Sequence, residues 1–169
     1  MNEPAKPVLA HANAPLRLVA GIDRLAAFGR AVGHLMTRPA FAAAPFGHIA
    51  RALAGQVNRG HYAFAHRGEA IVGFAGWAFV AEPVAEAWVA GERGFADEEA
   101  TDGECVVLNF WQADSPEVSR FLVARLIAAH ADKRRLYAKR HYPDGRIRPL
   151  RLDLGLRGGS PQRLAVVSR

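Results

Sequence analysis

The sequence predicts an α+β domain built on a mostly antiparallel central sheet flanked by helices, and three observations predict it. Apolar residues recur at helical spacing in three separate stretches, 16–36, 46–57 and 118–131. Residues 60–80 switch to a two-residue alternation around a turn. Later, Tyr142-Pro143-Asp144-Gly145 separates two more strand-like runs. Blocks of helix and strand in this order pack as an α/β sandwich.

The elements follow in order. Met1 to Pro15, rich in Pro, Ala and Asn, reads as a flexible leader. Leu16 to Met36 carries Leu18, Ile22, Leu25, Phe28, Val32 and Leu35, which predicts an amphipathic helix interrupted near Gly21. Thr37 to Pro45 is a connector punctuated by two prolines. A second helix is expected over Phe46 to Val57, with Ile49, Leu53 and Val57 on one face. Tyr62, Phe64 and His66 alternate with Ala63 and Ala65, Arg67-Gly68-Glu69 offers a turn, and Ala70 to Val80 reads as a buried partner strand. A short helix over Pro83 to Val89 and an acidic loop over Gly91 to Glu104 come next. Cys105 to Trp111 is a third strand. Ser115 can cap a helix opened by Pro116, with Glu117 favourable to its dipole. Its apolar stripe is Val118, Phe121, Leu122, Leu126 and Ile127. Leu136 to His141 and Ile147 to Leu154 form a closing hairpin. One domain over residues 16–154 is expected, followed by a tail, 155–169, in which Leu164 to Val167 could dock.

Half of the 169 residues are hydrophobic, enough for a sizeable core. No apolar run is long enough to span a bilayer, and the first residues lack the pattern of a secretory signal. The single cysteine, Cys105, fits a reducing compartment and reads as a buried, inert thiol. The net charge of +6 is uneven: residues 131–169 hold 11 of the 22 Lys and Arg against 3 of the 16 acids, a balance of +8. A basic segment of this kind suits an acidic partner.

No zinc spacing, Walker loop or Gly-x-Ser-x-Gly elbow is present. The Arg/Gln-x-x-Gly-x-Gly/Ala loop that cradles a pyrophosphate at a helix start does not precede Val118, which argues against coenzyme A. No cofactor is expected.

The order Arg38-Pro39-Ala40-Phe41, Pro45, the hairpin His61 to Ala78, Asp102-Gly103-Glu104 and then Phe110-Trp111-Gln112-Ala113 resembles the RTX toxin-activating lysine acyltransferases. The resemblance covers roughly Gly33 to Leu154. It implies a fold similar to the GNAT N-acyltransferases, a cytoplasmic enzyme, and transfer of an acyl chain from acyl-carrier protein to a protein lysine. In that family a Ser-Pro-x-His motif supplies a catalytic His and a strand after a Gly-Asp-Arg loop supplies an Asp. Here those positions read Phe41 and Phe110, with Asn109 beside the latter and expected on the opposite face of its strand. A phenyl ring cannot take the proton that a lysine amine must lose before it attacks a thioester.

Replacements for the missing base are His48, at the start of the second helix, and His34, one turn before the Arg38-Pro39 bend. His61 and His66 flank the first hairpin strand and read as locally packed. Arg134, Arg135, Lys139, Arg140, Arg146 and Arg148 are the expected docking residues for acyl-carrier protein. Three readings stand: an active acyltransferase with a relocated base; a catalytically silent adaptor or regulator that binds acyl-carrier protein, lipid or a partner protein; and, more weakly, a nucleic-acid-binding domain in which Tyr137, His141 and Tyr142 interleave with the basic residues. A homodimer is compatible with each.

Overall fold

The computed structural model describes residues 14–142 and 144–155. Its centre is a six-stranded sheet in sequential order, β1 (Leu16–Val19), β2 (Tyr62–Arg67), β3 (Ala70–Val80), β4 (Cys105–Ala113), β5 (Arg135–His141) and β6 (Ile147–Asp153). Every neighbouring pair is antiparallel except β4 and β5. That parallel step needs a crossover, and α5 (Pro116–Ala129) supplies it. The expected α+β sandwich with a mostly antiparallel sheet is the fold of this chain. Most of the leader (residues 1–13) and the tail beyond 155, with Leu164 to Val167, lie outside the described residues.

The first predicted helix divides. Leu16 to Val19 is strand β1, in register from Leu16 opposite Arg67 to Val19 opposite Phe64. Gly21 then takes a positive φ of 68°, a turn that L side chains resist. Asp23 accepts the amide hydrogen of Ala26 at 2.9 Å and starts α1 (Arg24–Leu35). The predicted stripe fails only at Leu25, which is 84% exposed: Leu35 is core, Ile22, Phe28 and Val32 pack against the same cluster, and Ala27 and Ala31 are buried with them. The connector holds one short helical turn, α2 (Pro39–Ala42), opened by its proline. α3 (Phe46–Arg59) and α4 (Glu82–Ala90) fall where the periodicity put them, each ending on a glycine of positive φ. Ser115 caps α5 as expected, accepting from the Val118 amide at 3.2 Å.

Helices cover both faces. α5 packs alone on one, over Ala63, Ala75, Trp77, Val106, Leu108 and Leu136. α1 and α3 cover the other over Tyr62, Phe64, Phe74 and Phe110, and α4 extends that layer over Val80, Cys105, Val107 and Tyr137.

Two features of β4 place the site. The register against β3 slips between Gly76, which faces Phe110, and Trp77, which faces Leu108, so Asn109 is an extra, bulged residue. Pairing with β5 stops at the same point, Leu108 opposite Ala138. Beyond it β4 runs on to Ala113 without a partner on its β5 side.

Candidate functional site

The bulge corrects the expectation for Asn109. Simple alternation would place it opposite to Phe110. The extra residue cancels one step, and both side chains meet the α1/α3 layer. Asn109 Oδ1 accepts from Gln56 Nε2 of α3, while Phe110, 6% exposed, joins the aromatic cluster of that face. Gln56 is fully buried, and its Oε1 has no hydrogen-bond partner among the described residues. It lies so close to β3 that a Cβ on Gly76 would stand 2.2 Å from Oε1 and would displace the Gln56 carboxamide.

Phe41 and Phe110 stack face to face, with ring centroids 5.9 Å apart and planes 20° from parallel. Phe74 meets Phe110 edge-on at 6.5 Å. The positions that the toxin-activating pattern gives to a base and its carboxylate are thus filled by two rings in contact.

Beside this stack runs a polar chain. His34, on the last turn of α1, bonds Gln112 Oε1 of β4 through Nε2. Gln112 Nε2 donates to Asp114 Oδ1 at 3.0 Å. Arg38 closes the chain with an ion pair to the same carboxylate oxygen. The network fixes the tautomer: the Gln112 amide hydrogens go to Asp114, so its carbonyl accepts from His34 Nε2–H. Nδ1 of His34 has no hydrogen-bond partner among the described residues. Gln112 itself is 8% exposed, so its two bonds hold the imidazole from a rigid strand.

The chain borders an open crevice of about 500 Å³ at the end of β4 and the start of α5. Arg38, Trp111, Gln112, Asp114, Ser115 and Ser119 line it. Asp114 and Glu117 put two carboxylates at the N-terminus of α5, and Pro116 offers no amide hydrogen there.

The other candidates lie apart. His48 is exposed on the first turn of α3, with no side-chain partner among the described residues. His66 is 8% exposed beside Phe64, and its pKa is lowered, first by burial and then by Arg30 and Arg17. His61 and His130 sit at the far end of α5 against Trp77 and Phe79. Burial holds the pKa of each down to about 4. The Cys105 thiol is buried and pushed up to about 11, which makes it a poor nucleophile.

The basic residues divide. Arg134 pairs with Glu82 at 2.5 Å, and Arg135 with Asp153 at 2.5 Å and Glu82 at 3.3 Å. Arg146 pairs with Asp144 at 2.6 Å. Lys139 lies over the Trp88 ring at 4.5 Å and Arg140 over Tyr142 at 5.0 Å. Arg148 has no ion-pair partner among the described residues. Among those residues no group of three or more His, Cys, Asp or Glu could hold a metal, and no helix is long and apolar enough to cross a membrane.

Sequence reasoning passed over Arg38, Gln112 and Asp114 as site residues. Arg38 and Asp114 stand 76 positions apart, and no spacing rule connects them. Gln56 did carry a signal: it lies seven residues after Ile49 and three after Leu53, a carboxamide on the apolar face of its helix.

Two solved structures share this architecture. One, described as "GphF GNAT-like decarboxylase in complex with isobutyryl-CoA", matches with a TM-score of 0.53 at 18% identity, covering 75% of this chain and 67% of that one. The second, "the loading GNATL domain of CurA from Lyngbya majuscula", matches with a TM-score of 0.50 at 14% identity, covering 77% and 68%. The chain therefore has a GNAT-like fold. No protein-family model and no curated protein matches it.

Proposed function

We propose that this chain handles an acyl thioester, passing the acyl group to a lysine amine with His34 as the proton acceptor. The observation that carries this reading is the chain His34–Gln112–Asp114–Arg38, whose last three members line the crevice. In it an imidazole is held by its Nε2–H while Nδ1 stays free to take a proton. The lysine nitrogen attacks the thioester carbonyl, a C–N bond forms, the C–S bond breaks, and His34 Nδ1 takes the amine proton and returns it to the leaving thiolate. Gln112 is a positioning residue, tied to Asp114 so that the ring cannot rotate away. The GNAT-like architecture and the acyl-CoA named in one neighbour's description support a thioester substrate. Kinship with the toxin-activating lysine acyltransferases is part of the same proposal.

The start of α5 favours a carrier protein over coenzyme A as donor. A helix N-terminus holds a pyrophosphate when its amide hydrogens are free and its charge uncompensated. Here Ser115 takes the Val118 amide, Pro116 has none, and Asp114 and Glu117 already satisfy the positive end of the dipole.

The Phe41–Phe110 stack favours a second reading, a non-catalytic relative that binds an acylated carrier or a partner protein. Single-turnover transfer to lysine peptides, from acyl-acyl-carrier protein and from acyl-CoA in parallel, separates the two. Transfer from the carrier protein that falls when His34 becomes Ala supports the first. Binding of the acylated carrier without transfer sinks it and leaves the second. The nucleic-acid reading is weaker, because Arg134, Arg135 and Arg146 are already matched by carboxylates.

A further inference from the structure

The β5–β6 hairpin is basic on both faces, and its two faces differ in how that charge is met. On the α4 face, Arg151 pairs with Glu86 at 2.7 Å and Arg135 with Asp153 at 2.5 Å, so both arginines there are answered by carboxylates, and Lys139 lies over the Trp88 ring. On the α5 face, Arg140 and Arg148 stand directly opposite one another in the register. Neither has a carboxylate partner among the described residues. Like charges directly opposite in an antiparallel pair are destabilising, so this arrangement costs the isolated protein stability.

The same row continues with Leu150 opposite Ala138 and Leu152 opposite Leu136. Leu136 is core under α5, whereas Leu150 and Leu152 remain 39% and 36% exposed. Two unanswered arginines thus border two exposed leucines. Because β4 and β5 are parallel, Arg140 lies at the same end of the sheet as Ala113 and the crevice.

We propose that this face docks an acidic partner with an apolar stripe, the carrier protein that brings the thioester to the crevice; this rests on the function proposed above. Charge selects the occupant. Residues 156–169 of this chain hold Arg157, Arg163 and Arg169 and no acid, so they do not complement the patch. A second copy paired along β6 would bring another unanswered Arg148 to the patch, on a basic strand and not an acidic one. A phosphate backbone would answer the arginines but leave the leucines in water. The docking set expected from sequence narrows accordingly: Arg140 and Arg148 dock, while Arg134 and Arg135 hold the fold together.

The test measures binding of purified acyl-carrier protein to the full chain and to three variants. Arg140→Gln/Arg148→Gln removes the charge, Leu150→Ser/Leu152→Ser removes the apolar surface, and Arg24→Gln/Arg51→Gln is a control of equal net charge. Both patch variants are expected to bind at least about tenfold more weakly, with the control within about threefold. Equal losses in patch and control variants would reduce the effect to general charge attraction and overturn the proposal. So would unaltered binding, or no binding by the parent protein. A carrier-free acyl-pantetheine thioester, which needs no docking, is assayed alongside for transfer to a lysine peptide. Transfer from it without carrier binding leaves the catalytic reading standing and removes this one. Binding at the patch without any transfer does the reverse.

Discussion

The two ends of α5 use histidine in opposite ways. At its N-terminal end, His34 is hydrogen-bonded through Gln112 to a carboxylate, and Gln112 and Asp114 line an open crevice. At its C-terminal end, His61 Nδ1 and His130 Nε2 are buried without hydrogen-bond partners among the described residues, and both rings pack on Trp77 and Phe79. Burial disfavours the imidazolium and holds these two near a pKa of 4, with Arg59 and Lys133 adding to the effect on His61. The same side chain is a candidate proton carrier at one end and an aromatic packing residue at the other. What separates them is whether a ring nitrogen has a hydrogen-bonding partner, not the residue type.

The largest expected effect breaks or confirms that contrast directly. His34→Ala should lower acyl transfer by about 10²–10⁴-fold, with little change in melting temperature. His130→Phe should leave transfer within a few-fold. If the two variants lose activity equally, the distinction between the ends fails.

Next in size is a pH effect that belongs to the buried end. The unfolded chain protonates His61 and His130 near 6.5, whereas the folded chain resists until about 4. The unfolded state therefore binds more protons between those values, and stability falls as pH drops through that window. Each histidine should cost up to about 3 kcal/mol, less at the partly exposed His61, levelling off below about pH 4. Urea titrations at pH 7 and pH 4.5 measure the loss, and His130→Phe should flatten it.

Phe41→Ala removes the ring stacked on Phe110 and should destabilise by about 2 kcal/mol in the same titration. A much smaller change would mean that the stack is not a packing element. The smallest expected effect is His48→Ala, within about 0.5 kcal/mol and twofold in transfer, because the side chain is exposed on the first turn of α3.

Much of the fold was legible because the sheet and the main helices are written in local periodicity. The Tyr62–Val80 hairpin, the Ser115 cap and the β5–β6 turn depend on neighbours a few residues apart. β1 was not legible. Four residues with leucines at Leu16 and Leu18 fit the edge of a helical stripe as well as a strand, and pairing with Phe64–Arg67 decided between them. The site was legible only in part. The absence of a base at Phe41 and of a carboxylate at Phe110 could be read directly, and His34 was among the alternatives. Its partner Gln112 could not be identified, since nothing near it in sequence marks a carboxamide on β4 as the link to Asp114.

By itself the sequence determined the α+β architecture and the basic C-terminal hairpin. These are properties of residue type and of short-range spacing. The tertiary structure decided which face Asn109 occupies, since an inserted bulge residue reverses the alternation along β4. It also decided which cations are neutralised and which histidine has a partner. Ion pairs and hydrogen bonds form over a few ångströms, and only the folded chain brings Arg38 to Asp114 or His34 to Gln112.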